Sequence, residues 1–229
     1  MPTIALVAAG TRLGLSLGKV FGGHGFDVAL IARSEERLGA LTDRLTDEGV
    51  EAAGFPADVT DRSALAAALD SAGARFGGID VLQYSAPYVR ADDGDSWMTG
   101  VLDVTVENLR PQIEGTCYGA ITATRAVLPA MIATGAGTLL FTTGASAVSP
   151  TPSAGAAGAA GAALHNWALK LNNALADKGI YVGYVALGAW IEGTPGTPED
   201  ASPIEPDDIA RLHWDMHATR NPAERLITA

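Results

Sequence analysis

Short, continuously apolar runs alternate with longer stretches of helical periodicity along almost the whole chain. Thr3 to Ala8 (TIALVA) has the unbroken apolar character of a strand buried on both faces, and a helical pattern begins near Leu13. Val28 to Ala32 is a second such run. Ser34 follows it as an N-cap, Glu35 and Glu36 favour the positive end of the helix it opens, and Gly49 stops that helix. Ala52 to Ala57 reads as a third strand, after which Asp61 caps an Ala-rich helix that runs to Phe76 and ends at Gly77. Ile79 to Tyr84, Thr138 to Thr142 and Tyr181 to Ala186 supply the fourth, fifth and sixth strands. Between them lie a long helix from Val106 to Met131, with Pro111 placed to bend its start, and a Gly/Ala-rich helix over Ala156 to Lys178. Asp207 to His217 is a last helix. Beyond it no clear seventh strand is written, Glu224 to Thr228 being only a faint substitute.

Strands alternating with helices of this length predict an α/β protein: a doubly wound parallel sheet with helices on both faces, in three layers, because right-handed crossovers leave few other arrangements. Ligands of such sheets sit at the carboxyl ends of the strands. Asp92 to Gly100 and the Pro/Gly-rich Gly193 to Pro206 are expected as long loops over that edge, with 193–220 forming a cover of loop and helix. No composition break or linker divides residues 1–229, so one domain is expected.

Charge narrows the partners. A formal net charge of -11 and a pI near 4.6 argue against nucleic acid, whose phosphates select clustered Lys and Arg, and against a membrane surface. Met1-Pro2 leads directly into the first apolar run without a basic leader, and no apolar run reaches spanning length, so a cytoplasmic protein is expected. Cys117 is the only cysteine, which excludes an internal disulfide and a cysteine-based metal site, and no metal is expected.

The turn after the first strand, Ala9-Gly10-Thr11-Arg12-Leu13-Gly14-Leu15-Ser16, passes straight into a helix. Glycine there lets backbone approach a pyrophosphate, whose charge the unpaired N–H groups of the helix start stabilise. A plain glycine-rich turn would also explain the pair, but further segments fit. Gly10 and Gly14, then Ala57-Asp58-Val59-Thr60-Asp61, Leu128-Pro129-Ala130-Met131 before Gly137-Thr138-Leu139-Leu140, and Lys178-Gly179-Ile180-Tyr181-Val182 follow in a set order. In these segments the chain resembles the short-chain dehydrogenase/reductase family, whose first turn reads GxxxGxG. Ser16 stands in place of the third glycine.

The resemblance extends from Thr3 to about Trp190 and implies a Rossmann fold holding a nicotinamide dinucleotide. The implied cofactor residues are Gly10, Arg12, Leu13 and Gly14 in the turn, Arg33, Asp58 and Val59, Ser85 and Ala86, and Gly188 and Trp190. Asp58 would accept a hydrogen bond from the adenine amino group. Where NAD-preferring members carry a carboxylate at the end of the second strand, Ala32-Arg33 stands here, so NADP(H) is expected, with Arg33 pairing to the ribose phosphate and Arg12 assisting. The alternative is that both arginines are solvated surface groups.

The family's catalytic Asn, Ser, Tyr and Lys align with Thr116, Gly144, Ala157 and Gly161, its NNAG segment with Tyr84-Ser85-Ala86-Pro87, and its PGxVxT segment with Leu187-Gly188-Ala189-Trp190-Ile191-Glu192. A positioned acid is worth on the order of 100-fold to 10,000-fold in rate, which neither glycine nor alanine supplies. One expectation is therefore an NADP(H)-dependent oxidoreductase with a divergent site, its proton donor being Tyr88 first, with Ser146, Tyr84 and His165 as weaker candidates. The others are an NADP(H)-binding sensor or structural protein without turnover, and a redox-neutral isomerase or cyclase. The Gly/Ala run from Ala154 to Ala163 fits a roomier pocket or close helix packing, and a homodimer through the 156–178 helix is expected because the family commonly dimerises there. Trp190 either covers the nicotinamide or anchors a loop, and Tyr118 and Tyr181 read as core or interface aromatics. The small-molecule substrate is not indicated.

Overall fold

The apolar runs become strands because only the middle of a layered sheet buries both of their faces. In the computed structural model, which describes residues 1–86, 99–194 and 197–228, the strands are β1 (Thr3–Val7), β2 (Asp27–Ala32), β3 (Ala52–Pro56), β4 (Val81–Tyr84), β5 (Gly137–Gly144), β6 (Ile180–Leu187) and β7 (Glu224–Ile227). They form one seven-stranded sheet in the order β3-β2-β1-β4-β5-β6-β7, every neighbouring pair parallel. The helices are α1 (Leu13–Gly23), α2 (Glu35–Asp47), α3 (Arg62–Phe76), α4 (Val106–Ile113), α5 (Gly119–Thr134), α6 (Gly155–Leu175) and α7 (Pro206–Thr219). The expected doubly wound fold is thus the observed one.

Alternate residues of each strand feed two cores. Ala5, Val7, Ala29, Leu82 and Leu139 face residues of α3, α5 and α6, while Ile4, Leu6, Val28, Leu30 and Val81 face α1, α2 and α7. The helix starts follow the expected caps: the Ser34 hydroxyl accepts from the Arg37 N–H at 3.2 Å, and the Asp61 carboxylate from that of Ala64 at 2.9 Å. Gly77 closes α3 with a left-handed φ of 84°.

Two features depart from expectation. Glu224–Ile227 is a full strand in register with β6. Lying at the sheet edge with two of its residues exposed, it needs no continuous apolar run, which is why the pattern there is faint. The long helix expected from Val106 to Met131 reaches Thr134, and its irregularity is a π-helical turn at Glu114–Tyr118, just beyond Pro111. No helix among the described residues is long and apolar enough to cross a membrane.

One buried polar chain ties α7 to the middle of the sheet. The His213 Nδ1 lies 2.8 Å from the Ile209 carbonyl, which can only accept, so Nδ1 carries the proton and Nε2 is the acceptor. The Thr142 hydroxyl, 2.8 Å away, must then donate to Nε2, and it accepts in turn from the Gln83 amide at 3.3 Å. The Gln83 carbonyl oxygen takes the Ser85 hydroxyl at 3.4 Å. The Thr142 link requires a neutral imidazole. Complete burial lowers the His213 pKa from its ordinary 6.5 to about 4, against the smaller opposing effect of the Ile209 carbonyl.

Between those two values the unfolded chain binds a proton that the folded one refuses, so stability falls as the pH drops from 6.5 towards 4. The full shift corresponds to about 3 kcal/mol at most. Urea unfolding at pH 7.5 and pH 5 is expected to show that loss in the wild type and a flatter dependence in His213→Gln. A variant with an unchanged slope would assign the acid sensitivity elsewhere.

Candidate functional site

The carboxyl edge is organised by the turn from β1 into α1. Ala8 takes a left-handed φ of 62°, and the Ala9 N–H donates to the Ile31 carbonyl at 3.0 Å, which fixes the turn to the end of β2. A Cβ on Gly14 would lie 3.0 Å from the Ala9 Cα, so glycine is what allows α1 to begin directly against the strand end. A Cβ on Gly10 would meet nothing within 4 Å, because that α-carbon borders open space in front of the helix. The Leu15 and Ser16 N–H groups donate to Gly10 and Arg12, both at 3.0 Å, while the earlier N–H groups of Leu13 and Gly14 have no acceptor within the helix. An open cradle of N–H groups fits a pyrophosphate.

Ser16, in place of the third family glycine, is buried, as is Leu13. Close helix packing falls instead to Gly18, where a Cβ would approach Leu45 Cδ1 to 2.9 Å, and to Gly22, which lies against Val50. The sequence holds a signal for this: Gly14, Gly18 and Gly22 recur every four residues and so share one helix face.

At the ends of β2 and β3 the predicted adenosine-side residues come together. The Asp58 carboxylate accepts from the Thr60 N–H and hydroxyl, both at 2.8 Å, and its other oxygen lies 3.8 Å from Arg33 Nη1. The Thr60 N–H chiefly holds the Asp58 pKa below its ordinary value; the Thr60 hydroxyl and the Arg33 charge add to this, against slight burial. The Arg33 side chain is 77% exposed, leaving most of its donors open to a ligand. Val59 is half-buried beneath α5, and its carbonyl would lie 3.0 Å from a Cβ on Gly119.

Beyond β4, β5 and β6 lie the other predicted residues. Ser85 and Ala86 follow β4, with Ala86 packed on the core. Gly188 donates its N–H to the Ile227 carbonyl at 2.6 Å, and a Cβ would come within 2.8 Å of that oxygen, so this glycine permits the close joining of β6 to β7. Half-buried Trp190 accepts from the Ile204 N–H at 2.8 Å, and Ile191 bridges to Ile204, folding the segment after β6 into an arch. Glu192 and Glu205 share a hydrogen bond at its base, which chiefly raises the Glu205 pKa above its ordinary value. Arg12 Nη1 donates to the Gly193 carbonyl of the arch at 2.9 Å.

Of the proton-donor candidates, Tyr88 lies outside the described residues, as does most of the Asp92 to Gly100 loop. Ser146 is half-buried in the turn after β5 and faces α6, its Oγ lying 3.4 Å from where Gly158 would carry a Cβ. His165 points elsewhere: Nε2 lies 3.1 Å from the Glu224 carboxylate and its ring packs 4.8 Å from that of Tyr184. Tyr181 is a core residue whose hydroxyl donates to the Pro222 carbonyl at 2.5 Å, and burial pushes its pKa up to about 12. Tyr118 is instead 44% exposed beneath the Arg62 guanidinium. Thr116, Ala157 and Gly161 are buried, and Gly144 ends β5.

Tyr84 is fully committed to structure. Its hydroxyl donates to the Gly115 carbonyl, and the Gly119 N–H reaches back to Glu114 instead, which is the bonding of a π turn. Burial pushes the Tyr84 pKa far above its ordinary value, with Cys117 and Asp58 adding to the effect. Such a phenol does not donate a proton near neutrality.

The model of the family described as short chain dehydrogenase matches residues 2–199. An uncharacterized oxidoreductase of Staphylococcus aureus is 27% identical over 210 residues, covering 90% of this chain and 87% of that protein. Among solved structures, L-sorbose reductase from Gluconobacter frateurii, complexed with NADPH and L-sorbose, has a TM-score of 0.85 at 18% identity and covers 99% of this chain and 95% of its own. A metagenomic short-chain oxidoreductase in complex with NADP has a TM-score of 0.81 at 24% identity, covering 99% and 96%.

A methyl group at Gly119 would run into the Tyr84 hydroxyl and crowd the Val59 carbonyl. Gly119→Ala is expected to cost about 1–3 kcal/mol in chemical denaturation, whereas Gly39→Ala, which meets nothing within 4 Å in α2, should stabilise by roughly 0.5–1 kcal/mol. Adding Tyr84→Phe should recover part of the Gly119→Ala loss, and strict additivity of the two would sink this origin of the π turn.

Proposed function

Because the chain belongs to the short chain dehydrogenase family, we propose that it is an oxidoreductase using NADP(H), with an active site that departs from the family's usual proton donors. The observation that carries the cofactor reading is the open glycine cradle at α1 together with an exposed Arg33 beside Asp58, where an NAD-specific site would offer a ribose-binding carboxylate at the end of β2. The nicotinamide, when bound, supplies or accepts hydride. The N–H groups of Leu13 and Gly14 hold the pyrophosphate, Arg33 the ribose phosphate and Asp58 the adenine amino group. Ser85, Ala86, Gly188 and Trp190 border the nicotinamide end. The NADPH and NADP complexes among the structural relatives support this reading.

On this reading Tyr88 is the first candidate proton donor and Ser146, beside the small Gly158, the second. A nucleotide-binding protein without turnover is the second reading. It is favoured by the engagement of the Tyr84 hydroxyl with the Gly115 carbonyl, which ties that phenol to the fold.

Calorimetric titration is expected to give tighter binding of NADPH than of NADH, with Arg33→Ala narrowing the gap by roughly tenfold, the scale of one charge-assisted hydrogen bond. Equal affinities in the wild type would overturn the cofactor preference. Simple ketones and aldehydes should be reduced negligibly. Robust turnover insensitive to both Ser146→Ala and Tyr88→Phe would remove both assignments.

We further propose a homodimer through α6 and its neighbour α4. Their outer surface carries small exposed residues at Ala159 and Ala163, and Val106 is 63% exposed. Sedimentation should show a dimer at micromolar concentration that Ala163→Arg dissociates, and a wild-type monomer would contradict it.

A further inference from the structure

We infer that Arg12 is a positioning residue that straps the arch after β6 to the mouth of the first turn and so retains bound nucleotide, without acting as a ligand of the ribose phosphate. This rests on the nucleotide-binding reading above. Sheet order supplies the direction. From β1, the strand β2 that leads into Arg33 lies on one side, whereas β6 lies three strands away on the other, roughly 14 Å at the usual interstrand spacing. The Arg12 guanidinium donates to the Gly193 carbonyl at 2.9 Å and is therefore turned towards the β6 side, away from the Arg33 end of the cleft.

The receiving segment is built to meet it. Trp190 and Glu192 are bonded to Ile204 at 2.8 and 3.0 Å, and the Thr194 N–H donates to Ile191 at 3.1 Å, so the arch is held from below by its own backbone. Gly193 has a φ of 73°, which an L side chain rarely adopts, and that conformation presents its carbonyl to Arg12. The arch leads into α7, which packs beside α1 with Phe21 and Trp214 in edge contact at 5.4 Å. Arg12 thus joins the start of α1 to the arch that precedes α7, and an exposed hydrogen bond between two held ends loses little entropy when it forms. The strap walls one side of the space beyond β4 and β5, where Ser85, Ala86 and Gly144 stand. Nucleotide lying from the α1 cradle to that space would leave only after the strap opens.

Nucleotide affinity and retention separate this role from phosphate recognition. Arg12→Ala is expected to weaken NADPH and NADH by the same factor, roughly tenfold for one hydrogen bond from a charged donor, and to speed release of both in stopped-flow displacement. Arg33→Ala should weaken NADPH alone. Gly193→Ala, which disturbs the carbonyl while leaving both arginines in place, should repeat the Arg12→Ala pattern. In the nucleotide-free protein, amide hydrogen exchange over 190–194 should rise in Arg12→Ala and stay unchanged in Arg33→Ala. Loss of NADPH affinity alone in Arg12→Ala, unchanged affinity for both nucleotides, or unaltered exchange in the arch would each overturn the strap. A wild type that binds neither nucleotide would overturn the cofactor reading and the retention role with it, an outcome distinct from the other three.

Discussion

How closely α1 can sit on the end of its own strand decides what the carboxyl edge of the sheet can hold. The Gly14 α-carbon rests against Ala9, Gly18 against Leu45 and Gly22 against Val50, so one face of the helix lacks side chains along its length. A methyl on Gly14 would press on Ala9 and lift the helix start from the end of β1, while methyls on Gly18 or Gly22 would push on Leu45 or Val50. The left-handed Ala8 belongs to the same constraint. It opens the short turn, Ala8 to Arg12, by which a fully buried strand passes into a helix, and tightly packed neighbours hold it there.

The central strand β4 carries a second constraint. Gln83 and Tyr84 are each 1% exposed, and being consecutive they point to opposite faces of the sheet. A buried polar side chain without a partner costs more than its hydrogen bond is worth, so each face must supply one. On one face Thr142 and His213 complete the chain from Gln83, which seats α7. On the other, Tyr84 takes the Gly115 carbonyl and opens the π turn between α4 and α5. Both devices converge on the end of β4, where Ser85 and Ala86 enter the cleft. The shape of the proposed nicotinamide end is therefore set by groups that do not themselves reach it.

Much of this was legible along the chain because parallel strands buried on two faces leave unbroken apolar runs, and because Ser34, Asp61 and Gly77 mark helix ends by local chemistry. Arg33 and Asp58 were singled out by the family resemblance, and their adjacency follows from the pairing of β2 with β3. What escaped depends on partners distant in sequence. The fate of Tyr84 is decided by Gly115, 31 residues on, that of His213 by Thr142, 71 residues back, and that of Arg12 by Gly193, 181 residues away. His165 stands one helical turn past Gly161, as expected, yet β7, faint in the sequence, supplies the carboxylate that engages it. Strand β7 was hard to read because an edge position relaxes the demand for apolar residues.

The proposed departure of the active site is embedded in the packing of α6. Ala157 has no exposed surface, and Gly161 is buried with its carbonyl 3.4 Å from the Tyr184 hydroxyl, which also bonds Thr143 at the end of β5. The ground beneath α6 is thus filled from the sheet side, by a tyrosine of β6, and the helix contributes only backbone and methyl groups there. A larger side chain in place of Ala157, which has no exposed surface, would overpack its surroundings, and overpacking of that kind costs about 1–3 kcal/mol. The proposed donor Ser146 stands in the turn after β5, half-buried against Gly158 of the same helix.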